Sequence, residues 1–372
     1  MGDACNVFMC KRILASQTNT EGGVPFYKIG TIGRTPDAYI SKELFDDYKA
    51  KYNYPHKGEV MITCAGTVGK CVIYDGKDAY YQDSNIVWID NPSQHISNGF
   101  LYHLLANVDW RKLNSTTIIR IYNDDLRNLK LSYPKIEEQK KISRLLSLLD
   151  ERIATQNKII DKLQSLIKGL NDTLYAQHGD EVMTSFAELG TSYSGLSGKS
   201  AQDFGSGKPF ITYLNVYSNN VIKENDFQYV AIKDDEKQNI VKYGDVLFTL
   251  SSETPEEVGI GSVYLGKEKV YLNSFCFGIH ITNTEVAFPP YLSYFVSSTP
   301  FRKFIYPYAQ GSTRFNLCKA DFEKASIKLP TLENQKRIYI VLGHIDCKIE
   351  TERQMLNLYN SQKQYLLRQM FI

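Results

Sequence analysis

One pattern of apolar residues occurs twice in the chain, and the two copies are 196 residues apart. In the first copy, alternating steps of four and three residues give ten positions, of which nine are large and apolar. Sustained spacing of this kind predicts a helix with a coiled-coil seam. The first set is Ile142, Leu146, Leu149, Ile153, Gln156, Ile160, Leu163, Ile167, Leu170 and Leu174, and the second is Ile338, Leu342, Ile345, Ile349, Glu352, Leu356, Tyr359, Lys363, Leu366 and Met370.

The second copy keeps the register of the first without an insertion. The polar seam residue of the first helix, Gln156, corresponds to a polar residue of the second, Glu352, and we expect this pair to set how the helices align. The helix entrances also correspond, since residues 134–139 read PKIEEQ and residues 330–335 read PTLENQ. Proline in the first turn and acids close behind it suit a helix N-terminus. The chain is therefore predicted to be a tandem duplication.

The fold class predicted from this duplication is α+β with pseudo-twofold symmetry. Residues 1–133 and 177–329 are expected to form two mixed α/β modules, and residues 134–176 and 330–372 two long antiparallel coiled-coil helices. The alternative is that each helix packs only on its own module. The residues expected to form the helix interface and to fix its length as a spacer are Ile142, Leu149, Gln156, Leu163, Ile338, Ile345, Glu352 and Leu366.

Both modules show a similar order of strands and helices. In the first, strands are predicted at residues 24–30, 59–63, 69–74 and 85–90, and helices at 41–52 and 99–108. In the second, strands at 209–214 and 244–249 and a helix at 291–304 correspond to three of these elements. The offset grows from 186 at the second strand to 196 at the long helix, which predicts about ten extra residues near 251–261.

Composition narrows the possible classes of protein. The net charge of +2 gives no general electrostatic argument for nucleic acid, so DNA binding would depend on local patches. The seven cysteines contain no C-x-x-C pair, which argues against a disulfide framework or a cysteine-rich zinc site and fits a reducing cytosol. No signal peptide and no run of 18 apolar residues is found, so a cytoplasmic location without membrane contact is expected.

Catalytic motifs are weak or incomplete in this sequence. Residues 197–200 contain the G-K-S of a P-loop, but the earlier glycine that the motif requires is replaced by Tyr193. Residues 288–291 read FPPY, and Phe288 cannot bind the target amine as the Asn, Asp or Ser of an adenine methyltransferase does; a helix start with proline in the first turn explains them better. The six histidines show no metal-binding spacing. The chain is therefore interpreted as non-catalytic, with no metal site.

Candidate binding segments recur at matching places in both modules. Small and hydroxyl residues follow the second strand at 64–70 and again at 250–254, and a Ser-Thr pair followed by arginine occurs at 114–120 and 310–316. Small residues let a partner approach the backbone, hydroxyls donate to phosphates or base edges, and arginine suits bidentate contact with guanine or phosphate. Residues 80–85 add aromatic and amide groups. Ordinary turns with capping hydroxyls are the alternative for each segment.

Taken in order, these features resemble the specificity subunit of a type I restriction-modification system. The resemblance covers the full length and rests on the two helix entrances, the duplicated seams, the paired strands that begin at Gly58 and Gly244, and the segments at Ser115 and Ser312. Residues 1–14 and 82–85 also resemble the target-recognition domains of that family.

The resemblance implies that each module reads half of a split, asymmetric site in double-stranded DNA. It also implies that the helices act as a ruler and dock two methyltransferase subunits, and that motor/nuclease subunits join the complex. S-adenosylmethionine, ATP and Mg²⁺ would be bound by those partners, and no cofactor by this chain. The expected DNA-binding residues are Thr31, Arg34, Gly66, Thr67, Lys70, Tyr81, Gln82, Asn85, Thr116, Arg120, Tyr213, Asn215, Ser251, Ser252, Asn273, Ser312, Thr313 and Arg314.

Two other classes of function remain alternatives at this point. The first is an interaction scaffold that uses a duplicated module and a coiled coil without binding DNA. The second is an enzyme, for instance a methyltransferase fused to its own reader, which the missing cofactor loop disfavours. Salt-dependent binding of duplex DNA would separate the first from a specificity subunit, and binding of S-adenosylmethionine by the chain alone would separate the second.

Overall fold

The computed structural model describes residues 1–83, 85–112, 120–178 and 181–371. The chain forms two compact units, each containing one module and a part of both long helices. Unit 1 comprises Met1–Asn157 and Gln354–Ile372, and unit 2 comprises Lys158–Arg353. The four consecutive domain limits given above stay a prediction.

The module of unit 1 combines short strands with three helices. Ser41 caps the first helix by accepting a hydrogen bond from the backbone N–H of Leu44. The elements are β1 (Asn6–Phe8), β2 (Val24–Tyr27), β3 (Tyr39–Ile40), α1 (Lys42–Lys51), β4 (Val60–Thr63), β5 (Cys71–Ile73), β6 (Tyr80–Tyr81), β7 (Ile86–Asp90), α2 (Asn98–Asn107) and α3 (Asn123–Arg127), followed by the long helix α4 (Ile136–His178).

The main sheet of unit 1 has the order β1-β7-β4-β5 and is antiparallel throughout. Side chains alternate between the two faces of a strand. Val60 and Ile62 join the residues of α2 in one apolar cluster, whereas Met61 joins Phe45 of α1 in another. Because both faces are covered, β4 is a continuous apolar run and does not alternate with polar residues.

Unit 2 repeats this module with longer connections and more elements. They are β8 (Val182–Thr184), α5 (Phe186–Leu189), β9 (Gly190–Ser194), β10 (Phe204–Ile211), α6 (Tyr213–Ser218), β11 (Gln228–Val230), β12 (Val246–Thr249), β13 (Ser251–Ser252), β14 (Gly261–Val263), β15 (Tyr271–Leu272), β16 (Cys276–Ile281), α7 (Pro289–Phe295), α8 (Thr299–Ile305), β17 (Ala309–Gln310), β18 (Phe315–Leu317), α9 (Lys319–Lys324) and β19 (Ile327–Leu329), with the second long helix α10 (Leu332–Met370).

Strand pairing shows that the two modules are copies. The main sheet of unit 2 has the order β14-β12-β16-β9, which corresponds strand by strand to β5-β4-β7-β1. Val60 pairs with Ile89 in unit 1, and Val246 pairs with Ile279 in unit 2. The parallel pairs β2–β6 and β10–β15 also correspond. The predicted duplication of a mixed α/β module is therefore confirmed.

The predicted seam is the inward face of both long helices. None of its twenty positions is exposed, and these include all eight residues expected at the interface. In unit 1, Lys363 near the end of α10 forms a salt bridge with Asp150 near the start of α4. In unit 2, residues near the end of α4 and the start of α10 share one apolar cluster. Both contacts are those of an antiparallel pair, as predicted. No helix in the described residues is long and apolar enough to span a membrane.

A buried glutamine joins each long helix to the module of its unit. Gln139 is 0% exposed; its Oε1 accepts from the backbone N–H of Ser97 at 2.8 Å, and its Nε2 donates to the carbonyls of His95 and Pro134, both at 2.9 Å. Gln335, also 0% exposed, makes the same three bonds with Phe288, Val286 and Pro330 at 2.7–2.8 Å. The glutamine that ends both sequence motifs thus has one structural role in both units.

Three details of the predicted second module are wrong. The strand predicted at 209–214 ends at Ile211, because the side chain of Thr212 caps α6. The helix predicted at 291–304 is divided into α7 and α8, because Ser298 caps α8 and a proline lies in its first turn. The connection at 250–260 is only four residues longer than the matching one at 64–70, so the extra residues are distributed over several connections.

Replacing Gln139 by alanine should lower the free energy of unfolding of unit 1 by about 2–4 kcal/mol, because three buried backbone groups lose their partner. The two tryptophans of the chain, Trp88 and Trp110, both lie in unit 1, so urea denaturation followed by tryptophan fluorescence reports on that unit.

The matched control is Gln354→Ala, which removes an exposed glutamine from α10 in the same unit. It should change the free energy of unfolding by no more than about 0.5 kcal/mol. Equal stability of the Gln139→Ala protein and the wild type would contradict the anchoring role.

Candidate nucleic-acid interface

The residue that follows the central strand connects three segments in each unit. In unit 1, the backbone N–H of Cys64 donates to the carbonyl of Asn85 at 2.8 Å, and its carbonyl accepts from Ile121 at 2.9 Å. In unit 2, Leu250 makes the equivalent bonds with Phe275 at 2.9 Å and Leu317 at 2.8 Å. In unit 1 the loop at 64–70 thus meets the segment that ends at Asn85, and in unit 2 the loop at 250–254 meets the segment at 310–316. Burial raises the pKa of Cys64 to about 12, so this thiol stays neutral.

Residues 64–70 form a tight loop that needs two glycines. Gly66 and Gly69 have positive φ values of 64° and 82°. Residues other than glycine rarely adopt such values. A Cβ on Gly66 would lie 2.7 Å from Ile29, so the loop packs closely on residues 28–34. The hydroxyl of Thr63 closes the loop by accepting from the N–H of Lys70 at 3.0 Å. Thr67 is left exposed at its tip.

Lys70 connects this loop to the turn that carries Thr31 and Arg34. Its ammonium group donates to the carbonyl of Ile32, and Thr31 closes the turn by accepting from the N–H of Lys28 at 3.0 Å. Burial, and then the nearby Arg34 guanidinium, lower the pKa of Lys70. Arg34 itself is exposed. Five of the predicted residues, from Thr31 to Lys70, therefore form one basic surface.

The other predicted residues of unit 1 have different surroundings. Tyr81 is buried and stacks on Tyr27 at 5.8 Å, while the side chain of Gln82 accepts from the N–H of Ile29 at 3.4 Å. Asn85 contributes its backbone carbonyl to the junction. Arg120 lies over the ring of Tyr122 at 5.8 Å, next to the junction. Thr116 and the Ser-Thr segment around it lie outside the described residues.

In unit 2, the buried Ser251 (5% exposed) is the centre of the corresponding site. The guanidinium of Arg314 donates to its hydroxyl through Nε at 3.3 Å and Nη2 at 3.1 Å, and the hydroxyl of Tyr213 donates to its carbonyl at 2.9 Å. Arg314 is exposed apart from these contacts and follows Ser312 and Thr313, which are exposed in the connection between β17 and β18. The predicted serine and arginine segments are therefore in direct contact.

Two predicted residues of unit 2 support the fold around this surface. Asn215 is 2% exposed, and its amide bonds the backbone of Lys223 through both atoms, at 2.8 and 3.1 Å. Asn273 accepts from the N–H of Phe275 through its side chain at 2.9 Å, while its own N–H donates to Ile211 at 2.9 Å. These amides hold the chain on both sides of the junction.

One acidic residue of this surface was missed in the sequence. Glu257 ends a 3₁₀ turn (Pro255–Glu257), and its carboxylate accepts from the hydroxyl of Ser252 at 3.2 Å. Hydrogen bonds from Tyr217, and then from Ser252, hold the pKa of Glu257 below its usual range. No local motif marks this glutamate, because its partners come from two other segments.

Arg302 of α8 was also missed, and it fixes the loop that carries Glu257. Its guanidinium donates to the carbonyls of Gly259 at 2.7 Å, Glu256 at 2.8 Å and Val258 at 2.7 Å. Burial lowers the pKa of this guanidinium to about 10. Because one guanidinium binds three backbone carbonyls, the loop that carries Glu257 is held in a fixed position.

Comparison with known proteins agrees with this architecture. The family model of the type I restriction modification DNA specificity domain matches residues 1–165 and 192–358. A predicted type I restriction enzyme specificity subunit of Haemophilus influenzae is 48% identical over 168 residues, which are 45% of this chain and 43% of that protein. A second relative with this description, from Methanocaldococcus jannaschii, is 26% identical over 92% of this chain and 84% of its own length.

Among solved structures, the specificity subunit of a type I restriction-modification system from M. genitalium aligns with all of this chain and 94% of its own, with a TM-score of 0.60 and 14% identity. At that identity the likeness concerns the fold. A chain from a structural study of type I complex assembly gives a TM-score of 0.58 at 16% identity, over all of this chain and 96% of its own.

The family model covers most of the chain in two segments that correspond to the two copies of the duplication. This confirms the predicted family and a DNA-specificity role, and it favours that role over the scaffold and the enzyme. The chain therefore belongs to the family of type I restriction-modification DNA specificity proteins.

Proposed function

We propose that the two modules read the two halves of a bipartite, asymmetric site in double-stranded DNA. The observation that carries this proposal is the duplicated junction at Cys64 and Leu250, where the same backbone hydrogen bonds hold loops with unlike side chains. A shared backbone frame presents both surfaces in the same way. Different side chains on that frame recognise different base pairs.

The side chains of the two surfaces favour different contacts. In unit 1, Arg34 and Lys70 provide positive charge close to the exposed Thr67, which suits phosphates and the acceptor edge of guanine. In unit 2, Arg314 is the main cation and is oriented by Ser251. Gln82, Arg120, Ser312 and Thr313 extend these surfaces. The buried Tyr81 and Asn215 support the frame and do not reach DNA.

The long helices also carry features that suit docking of other subunits. Exposed apolar residues occur at equivalent positions of the duplication: Leu145 is 41% exposed and Val341 46%, Ile159 is 37% exposed and Met355 40%. An isolated helix in water would place polar residues at such positions. We assign these matched positions to two methyltransferase subunits, one for each copy of the repeat.

The remaining partners follow from this assignment. The complex modifies adenine with S-adenosylmethionine bound by the methyltransferase subunits, and motor/nuclease subunits bring ATP and Mg²⁺. This chain supplies the DNA sequence preference and the spacing between half-sites, and it acts in the cytoplasm. The family membership supports the DNA-specificity part of this role.

Arg314→Ala should weaken binding about tenfold or more to duplexes in which the second half-site, the one read by unit 2, is intact. A bidentate arginine contributes about 1–3 kcal/mol of discrimination. Arg120→Ala should act in the same way on the first half-site. The measurement is the affinity of the assembled methyltransferase complex for duplexes altered in one half-site at a time. Equal loss at both half-sites for either variant would contradict separate reading by the two units.

Adding one heptad to each long helix, after Asn157 and after Arg353, should lengthen the spacer and leave the half-sites unchanged. Seven residues extend a helix by about 10 Å, which corresponds to about three base pairs. Mapping of methylated sites by the complex gives the spacer directly. A spacer of the original length in this variant would contradict the role of the helices as a ruler.

Leu145→Glu should remove one methyltransferase subunit from the complex, and Leu145→Glu combined with Val341→Glu should remove both, because a charge is introduced into an apolar contact. Native mass spectrometry of the purified complex counts the subunits. Asn357→Glu, an exposed change at a position outside the matched apolar pairs, is the control and should keep both. Full stoichiometry in the double variant would contradict this docking surface.

A further inference from the structure

We propose that Glu257 is a specificity-determining residue of unit 2, and that its carboxylate accepts a hydrogen bond from the exocyclic N4 amine of a cytosine. This inference rests on the function proposed above and adds the base that one side chain reads. Glu257 lies in the loop at the end of β12, which also carries the buried Ser251 and Ser252, and Arg314 bonds Ser251.

The position of the carboxylate is fixed by its neighbours. Ser252, which pairs with Phe315 in the adjacent strand, donates to Oε2 at 3.2 Å. The nearby hydroxyl of Tyr217 in α6, and then Ser252, lower the pKa of this carboxyl. Tyr217 stacks in turn on Tyr213, with ring centroids 5.9 Å apart. A side chain that recognises a base must be held in place before DNA binds, and these contacts do so.

The backbone on both sides of Glu257 is held as well. Arg302 binds the carbonyls of Glu256, Val258 and Gly259, so one half-buried guanidinium fixes the residues directly before and after the glutamate. Hydrogen bonds from a charged guanidinium are stronger than those between neutral groups. This arrangement suits a loop in which the side chain of Glu257 must keep one orientation.

The chemistry of a carboxylate at this place points to a base edge and away from the DNA backbone. An ionised carboxylate repels phosphates and can only accept hydrogen bonds. The hydroxyl of Ser252 donates to it, and a carboxylate has about four acceptor sites, which leaves capacity for a further donor. Among major-groove edges, the N4 amine of cytosine is the donor that glutamate and aspartate select.

The corresponding loop of unit 1 offers no such acceptor. Residues 64–70 read CAGTVGK, are four residues fewer than 250–260, and lie beside the cations Lys70 and Arg34. The difference between the loops thus includes a change of charge from basic to acidic. We therefore expect the cytosine preference in the half-site of unit 2 alone.

The test compares the full-length wild type with Glu257→Gln and Glu256→Gln, each assembled with the methyltransferase subunits. Binding is selected from a duplex library in which both half-sites are randomised, and the bound fraction is sequenced. Glu256 is an exposed neighbour, so its substitution removes the same charge without removing the proposed contact. Glutamine can still bond the surrounding hydroxyls, and it prefers adenine to cytosine.

The expected result is a loss of about tenfold or more in the preference for cytosine at one position of one half-site, with a gain for adenine, in Glu257→Gln only. Unchanged base preferences in Glu257→Gln would overturn the inference, and so would the same uniform rise in affinity for both variants. If the wild-type complex itself selected no sequence, the proposed function would fail, and this outcome is distinct from the other two.

Discussion

A neutral amide buried at the start of each long helix connects the helix to the module of its unit. Gln139 and Gln335 each use one acceptor and both donor hydrogens on backbone groups of the connection before the helix and of the segment ahead of α2 or α7. An acid or a lysine at this position would bury a charge, and an apolar residue would leave the backbone groups unpaired. Glutamine has the length and the mixed donor and acceptor groups that this place requires. The direction in which each helix leaves its module therefore depends on this side chain.

Hydrogen bonds to backbone groups also explain how one module can be copied and then altered. The junctions at Cys64 and Leu250 are made of backbone hydrogen bonds, which do not depend on the identity of the side chains. Loops connected in this way can exchange side chains, and even gain four residues, while their ends stay in place. Basic groups around Lys70 and the acidic Glu257 are two outcomes of that freedom. Recognition can diverge in the two units although the frame does not.

The sequence predicted those parts of the fold in which the pattern repeats over many residues. The seam was correct at all twenty positions because burial along a helix follows a fixed period. The central strands were correct because both of their faces are covered. The end of β10 and the break between α7 and α8 were predicted wrongly, since single capping residues, Thr212 and Ser298, overrode the apolar run. Glu257 and Arg302 could not be predicted, because no motif spacing relates them to their partners, which for Arg302 are 43–46 residues away.

Two buried polar positions of the seam fit helices whose register must be defined. Gln156 and Glu352 occupy equivalent places and are both nearly inaccessible, and Glu352 is paired with Lys348 one turn before it. An apolar residue at either place would give a more stable helix pair, but it would also allow the helices to slide by a heptad. A polar residue permits one register only, at some cost in stability. A slip of one heptad would shift one helix along the other by about 10 Å, so a defined register fits the proposed role of the helices in setting the spacing.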